Sequence, residues 1–362
     1  MVSSLEAFTR RKWRSLRRRW RWRKPLALGR SLRAGGAIAS VLARREPAGA
    51  GRIQRPAFEY NLTEHCNLAC HGCDHASPLL PEKFASLERF KADLGALGEA
   101  YHAKELRIVG GEPLLHRELV GFLEFARSSG IADRLVLITN GVLLHKAEAR
   151  LFGLLDEVRL SVYPQVKLAL KLERYAEIVR ARGAEFTPLF QDRFHRTLLN
   201  ARNEDPEIVR ATYRACKLTG KWSCHAVHEG RYYKCSPAPF MSPRLARLGI
   251  ALDDAGDGVP LHAPDLRGRL ERYLEDTHPL ASCSFCLGTS GPAEEHHLLN
   301  KKGVEAWWRE DHRGLIEGLR SRRLHPVAAA RARISPPAAA DPCAAAPRSG
   351  PNECRVRSGG EE

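Results

Sequence analysis

No stretch of this 362-residue chain is apolar for long enough to cross a bilayer. No secretory leader is visible either, because basic residues at 10–24 interrupt what little apolar character the start has. Ten cysteines in a chain of this size, without a leader, do not suit a secreted disulfide scaffold. A reducing cytoplasm is expected instead, where clustered cysteines bind metals or do chemistry. Acids are scarce in one region only: residues 1–55 hold sixteen Lys/Arg against Glu6 and Glu46, while residues 56–325 are close to neutral. The formal net charge of +16 therefore belongs to an appended arm, and the high pI says little about the folded part. The arm interleaves arginines with Trp13, Trp20 and Trp22, a mixture that suits nucleic acid or a membrane interface. The plainer expectation is a solvated, disordered extension. Gly35-Gly36 and residues 47–51 mark a linker, and the Ala-, Pro- and Arg-rich residues 326–362, with Cys343 and Cys354, read as a disordered tail.

From Pro56 the pattern changes to alternating strands and helices. Strands are expected at 57–62, 104–109, 134–139, 157–162 and 185–189. Helices are expected at 87–101, 118–128, 146–154 and 168–182. Such alternation with short loops argues for parallel βα units, in which chemistry sits on the loops that follow the strands. Beyond residue 190 the regularity is lost, apart from a hairpin around Glu229-Gly230 and helices at 265–276 and 305–322.

The loop after the first strand carries Cys66, Cys70 and Cys73, spaced C-x3-C-x2-C. Soft thiolates this close favour zinc or an iron–sulfur cluster. A structural zinc wants four closed ligands, which His65, His71 or His75 could complete, whereas three leave a metal position open. One βα unit later comes Gly110-Gly111-Glu112-Pro113, which read alone is a tight turn and a helix start.

The cysteine spacing, followed by Gly-Gly-Glu-Pro one unit on, resembles the radical SAM superfamily. The resemblance implies a partial (β/α)6 TIM-type barrel in which Cys66, Cys70 and Cys73 hold a [4Fe–4S] cluster that chelates S-adenosyl-L-methionine. Gly110, Gly111, Glu112 and Pro113 would hold the cofactor's amino group. Asn140, in Thr139-Asn140-Gly141, and Ser161 would sit at strand ends that touch its ribose or carboxylate. The position before the third cysteine is often aromatic in this family. Here it is Gly72, after His71, so His71 or His75 would have to supply that contact.

A second cysteine set follows: Cys216, Cys224, Cys235 and then Cys283-Ser-Phe-Cys286. It resembles the auxiliary domains called SPASM or, in the one-cluster form, twitch. Four ligands for a second [4Fe–4S] cluster would be Cys216, Cys235, Cys283 and Cys286, with Cys224 able to replace Cys216. A zinc ribbon is the competing reading of the same thiols. The expected organisation is thus an arm at 1–55, a barrel core at 56–190, an auxiliary domain at 191–325 and a tail at 326–362.

The resemblance implies reductive cleavage of S-adenosylmethionine to a 5′-deoxyadenosyl radical that abstracts a substrate hydrogen atom, with an electron donor such as flavodoxin or ferredoxin. The outcome would be dehydrogenation of a sugar-like substrate, maturation of a peptide, or epimerisation with Cys224 returning a hydrogen atom. No base stands out among Tyr163, His195, Glu294 and His296. The alternative from another class is a zinc-stabilised protein whose Arg/Trp arm binds nucleic acid.

Overall fold

Five strands alternate with four helices in the first half of the chain: β1 (Ile53–Asn61), α1 (Leu87–Ala100), β2 (Tyr101–Val109), α2 (Leu119–Ser129), β3 (Ala132–Thr139), α3 (Ala149–Gly153), β4 (Glu157–Val162), α4 (Leu172–Arg180) and β5 (Glu185–Phe190). The structure is a computed structural model that describes residues 13, 15–17, 20 and 51–321. The second half adds β6 (Arg193–His195), α5 (Pro206–Ala215), β7 (Ala226–His228), β8 (Arg231–Tyr233), α6 (Ala238–Ala246), β9 (Gly258–Pro260), α7 (Leu266–Glu275), β10 (Ala293–Glu295), α8 (Lys301–Trp308) and α9 (Arg313–Ser321).

The main sheet has eight strands in the order β5-β4-β3-β2-β1-β7-β8-β9. β1 to β5 are parallel throughout, so their carboxyl ends share one edge. This is the α/β, mostly parallel arrangement of a partial TIM-type barrel. The five strands expected from the sequence all form and follow one another in βα order. The sixth parallel strand, β7, joins on the far side of β1, pairing Glu59 with Ala226 and Tyr60 with Val227. The sheet therefore runs across residue 190, where the sequence pattern changes.

Local chemistry explains the elements. Ser86 caps α1, its hydroxyl accepting from the Arg89 N–H at 3.1 Å, and Phe90, Leu94 and Leu97 bury the helix's apolar stripe on the sheet. The β7–β8 hairpin turns on Glu229 and Gly230, with φ of 49° and 74°, as a two-residue turn of this hand requires. That turn is fastened to α1 by the buried Asp93, whose carboxylate accepts from Gly230 N at 3.2 Å and from Tyr60 Oη at 3.0 Å.

One face of the parallel strands carries a run of charged residues. Glu105 and Arg107 on β2, Arg134 on β3, Glu157 and Arg159 on β4, and Glu185 on β5 form a ladder with N···O distances of 2.6–3.3 Å. The residues on each strand are two apart or singly placed, which puts them on one side of the pleat.

Some elements depart from expectation. The helix expected at 305–322 is two helices, because the Asn200 amide donates to the carbonyls of Trp307, Trp308 and Glu310 and the Asp311 carboxylate accepts from Arg313 N. The helix expected from 168 begins at Leu172, and most of the one expected at 146–154 is α3 with a short 3-10 turn before it. The described part of the arm is packed, not solvated. Trp20 is buried and meets Phe186 edge-on at 5.9 Å, Trp13 meets Phe190 at 5.3 Å, and Arg17 pairs with Asp192 at 3.0 Å. The remainder of the arm, the linker at 35–36 and 47–50, and the tail with Cys343 and Cys354 lie outside the described residues. Among the described residues no helix is long and apolar enough to cross a membrane.

Candidate functional site

The loops that leave the carboxyl ends of β1, β2 and β3 converge. Gly111 N donates to the Thr63 carbonyl at 2.8 Å and Glu112 N to the His65 carbonyl at 3.2 Å, so the Gly-Gly-Glu turn lies directly on the start of the cysteine loop. Two glycines make this approach possible. Gly110 has φ +146°, and a Cβ at Gly111 would stand 2.0 Å from the His65 carbonyl oxygen. From β3, the Asn140 amide donates to Asn67 Oδ1 at 2.7 Å and to Cys66 Sγ at 3.5 Å.

Glu112 is fully buried, and its carboxylate is turned into the fold. It accepts from Thr139 Oγ1 at 2.6 Å, Asn140 N at 2.8 Å and Leu114 N at 3.0 Å. Burial raises its pKa to about 7, against these hydrogen bonds, which lower it. The carboxylate expected to grip an ammonium group thus also joins the loops after β2 and β3. Pro113 opens a 3-10 turn capped by that same side chain. Ser161, at the end of β4, is buried and hydrogen-bonded to Tyr163.

Cys70 is buried, and Cys66 and Cys73 are half-buried. Burial pushes all three thiols up, Cys66 to about 12, and each lies in electrostatic range of another of the set. Three such thiols repel one another once ionised and need a cationic metal core to sit together as thiolates. Donors already aim at the sulfurs: Leu68 N at 3.4 Å from Cys66 Sγ, the backbone N–H groups of His75 and Ser77 toward Cys73, and His296 Nε2 at 3.2 Å from Cys70 Sγ. The soft donor set, its hydrogen bonds and the close glycine turn fit an iron–sulfur cluster with a ligand beside it. Among the described residues no three His, Cys, Asp or Glu close on a point as one metal ion requires.

In the second set, burial raises the thiols of Cys235, Cys283 and Cys286, and the nearby Cys216 adds to the rise of each. Gly288, with φ +50°, lies against Cys216: a Cβ there would be 2.9 Å from its Sγ. Gly288 N donates to Cys286 Sγ at 3.2 Å. Cys224 packs against the same buried cluster as Cys216, Cys235 and Cys283, but its thiol is hydrogen-bonded to the buried Glu59, near Arg107 and Asp74. Burial holds Glu59 at about 7 and Asp74 at about 6. The Asn61 side chain, two residues on from Glu59 and 2% exposed, lacks a hydrogen-bond partner at both its oxygen and its nitrogen.

The four residues considered as bases are engaged. Tyr163 stacks on His296 with ring centroids 4.5 Å apart, His195 Nδ1 meets the Gly291 carbonyl at 2.9 Å, and Glu294 pairs with Arg196 at 3.3 Å. His71 lies 4.5 Å from the His297 ring and 5.3 Å from Trp307, and His75 lies 5.5 Å from Phe240 with Nε2 unpartnered. The contact of His296 with Cys70 was not anticipated, since 226 residues separate them and no local pattern marks it.

Residues 60–185 match the Radical SAM superfamily model. Curated relatives include the GTP 3',8-cyclase of Rhodopirellula baltica, 36% identical over 107 residues, which are 27% of this chain and 29% of that one. The probable GTP 3',8-cyclase of Metallosphaera sedula is 26% identical over 144 residues, 37% and 41% of the two chains. The chain thus spans less than half the length of these relatives. Among solved structures, BtrN in complex with AdoMet and 2-DOIA aligns over 68% of this chain and 100% of that one, at 16% identity and a TM-score of 0.43. With the cysteine loop and the Gly-Gly-Glu turn inside the matched stretch, the chain carries a radical SAM domain in residues 60–185.

Proposed function

We propose that residues 56–325 form a radical SAM enzyme with one auxiliary [4Fe–4S] site, held by Cys216, Cys235, Cys283 and Cys286, in the region 191–325, and that it oxidises a polyhydroxylated, sugar-like substrate by two electrons. The observation that carries the first half is the Gly110–Gly111–Glu112 turn lying on the cysteine loop, with Glu112 N on the His65 carbonyl at 3.2 Å. When bound, S-adenosylmethionine and its cluster supply a radical that takes a hydrogen atom from the substrate.

The chain's own residues hold these parts. Gly110 and Gly111 let backbone approach the cofactor, Asn140 spans the loops after β1 and β3, and Ser161 and Tyr163 close the β4 end. Four cysteines around the auxiliary site leave no ligand position open, which suits electron transfer rather than substrate capture. An alcohol that becomes a carbonyl loses one hydrogen atom, one electron and one proton, and a second redox site answers the need for the electron. The buried polar Glu59 and Asn61, with Asp74 near Glu59, favour a polyhydroxylated substrate over an apolar peptide side chain. The family model's match ends at residue 185 and the GTP 3',8-cyclases are covered over less than half their length, so neither carries a substrate identity into this chain. A cytoplasmic setting and a flavodoxin- or ferredoxin-type donor belong to the same reading.

Anaerobic reconstitution tests it. The protein is expected to hold about eight irons per chain and, with reductant and S-adenosylmethionine, to form 5′-deoxyadenosine. A colourless zinc protein whose nucleic-acid affinity falls steeply with salt would replace this reading with the zinc-stabilised binding protein.

A further inference from the structure

The cysteine loop is gripped by a segment from the far end of the chain. His71 N donates to the His297 carbonyl at 3.0 Å, Leu299 N donates to the Ala69 carbonyl at 2.7 Å, and Cys70 and Leu298 form a β-bridge. Behind this segment β10 pairs with β6, and His296 N donates to the Asp192 carbonyl at 2.9 Å. The backbone on both sides of Cys70 is therefore registered against residues 296–299.

Within that clamp, the His296 ring is fixed. It stacks on Tyr163 with 16° between planes and meets Phe194 edge-on at 5.0 Å. Nε2 is 3.2 Å from Cys70 Sγ, and the residue is 3% exposed. A metal-bound thiolate has no proton to give, so the Nε2 proton must be the one shared. Nδ1 is left as a lone pair, and it is buried without a partner.

We infer that His296 is a positioning residue for the radical SAM cluster, donating an N–H···S hydrogen bond to Cys70 that raises the cluster's reduction potential and ties it to the C-terminal half of the chain. The inference rests on the cluster assignment above. Its physical basis is that hydrogen bonds to ligand sulfur favour the more electron-rich, reduced cluster, as one of the levers that set such potentials.

The test is an EPR-monitored redox titration of anaerobically reconstituted holoprotein, following the signal that changes on adding S-adenosylmethionine. His296→Phe keeps an aromatic ring against Tyr163 and removes the donor. His296→Gln keeps an N–H. At a fixed potential, His296→Phe is expected to show a reduced-to-oxidised ratio about tenfold lower than wild type, which for a one-electron couple is about 59 mV. His296→Gln is expected to stay near wild type. Loss of the cluster from the Phe variant alone supports the same assignment. One shared potential for all three proteins overturns it. So does loss of the cluster from the Gln variant while the Phe variant keeps it, since ring packing rather than the N–H would then be what the site needs. A wild-type protein that takes up no iron would instead remove the cluster assignment itself, a distinct result.

Discussion

The backbone N–H of Glu112 reaches the carbonyl of His65 at 3.2 Å, which fastens the turn after the second strand to the loop after the first. Gly111 is what permits it. In Gly111→Ala the new Cβ would meet the His65 carbonyl carbon and oxygen at 2.3 and 2.0 Å, and both are backbone atoms that cannot swing aside. The turn must lift off the cysteine loop, at a stability cost of about 1–3 kcal/mol for overpacking. S-adenosylmethionine binding, measured by equilibrium dialysis on reconstituted protein, is expected to be lost. Gly95→Ala on the exposed side of α1 is the control: nothing lies within 4 Å of its Cβ, and it should gain about 0.5–1 kcal/mol.

The strands were legible in the sequence because their alternation is local, and the C-x3-C-x2-C loop because its three thiols share one short, spaced motif. What was not legible is everything carried by long-range pairing. Gly288 lies against Cys216 from 72 residues away, a contact that no local pattern announces. β7 joining β1 puts a C-terminal hairpin into the N-terminal sheet, and three residues of strand carry too little pattern to announce it. His296 reaches Cys70 by the same kind of distant registration.

That registration makes the choice of auxiliary ligand testable. Cys216→Ala is expected to leave about four irons per chain, since one of two four-iron clusters is lost. Cys224→Ala is expected to keep about eight, because that thiol is spent on Glu59 rather than on the other four. Iron and sulfide analysis of the two purified variants, side by side, reads the difference. Equal loss in both would place Cys224 among the ligands.

Glu112 imposes a pH dependence on folding. Its carboxyl is raised by burial from 4.5 to about 7 in the folded chain, so the native state holds a proton that the unfolded chain has released over that window. Stability is then complete below about 4.5 and declines as pH rises to about 7, by on the order of 3 kcal/mol at 1.36 kcal/mol per unit. Glu112→Gln cannot ionise, so its stability should lack this decline. It should still cost stability at every pH, because an amide N–H would face the Asn140 N–H that the carboxylate now accepts. Urea unfolding from pH 4.5 to 8, wild type against variant, separates the slope from the offset.

The basic arm offers the sharpest contrast between composition and packing. Read as charge it is a solvated tail, and truncating it should do nothing to the core. Yet Trp20 lies buried against Phe186 and Trp13 against Phe190, both on β5, the edge strand of the sheet. Trp20→Ala should therefore lower stability by about 3 kcal/mol, as for other buried aromatics cut to alanine. Arg17→Ala should cost less than about 1 kcal/mol, since its pair with Asp192 is exposed on both sides. Removal of residues 1–50 should bare Phe186 and Phe190 and promote aggregation, measurable by light scattering during thermal unfolding. A truncated chain as stable as the full one would return the whole arm to solvent.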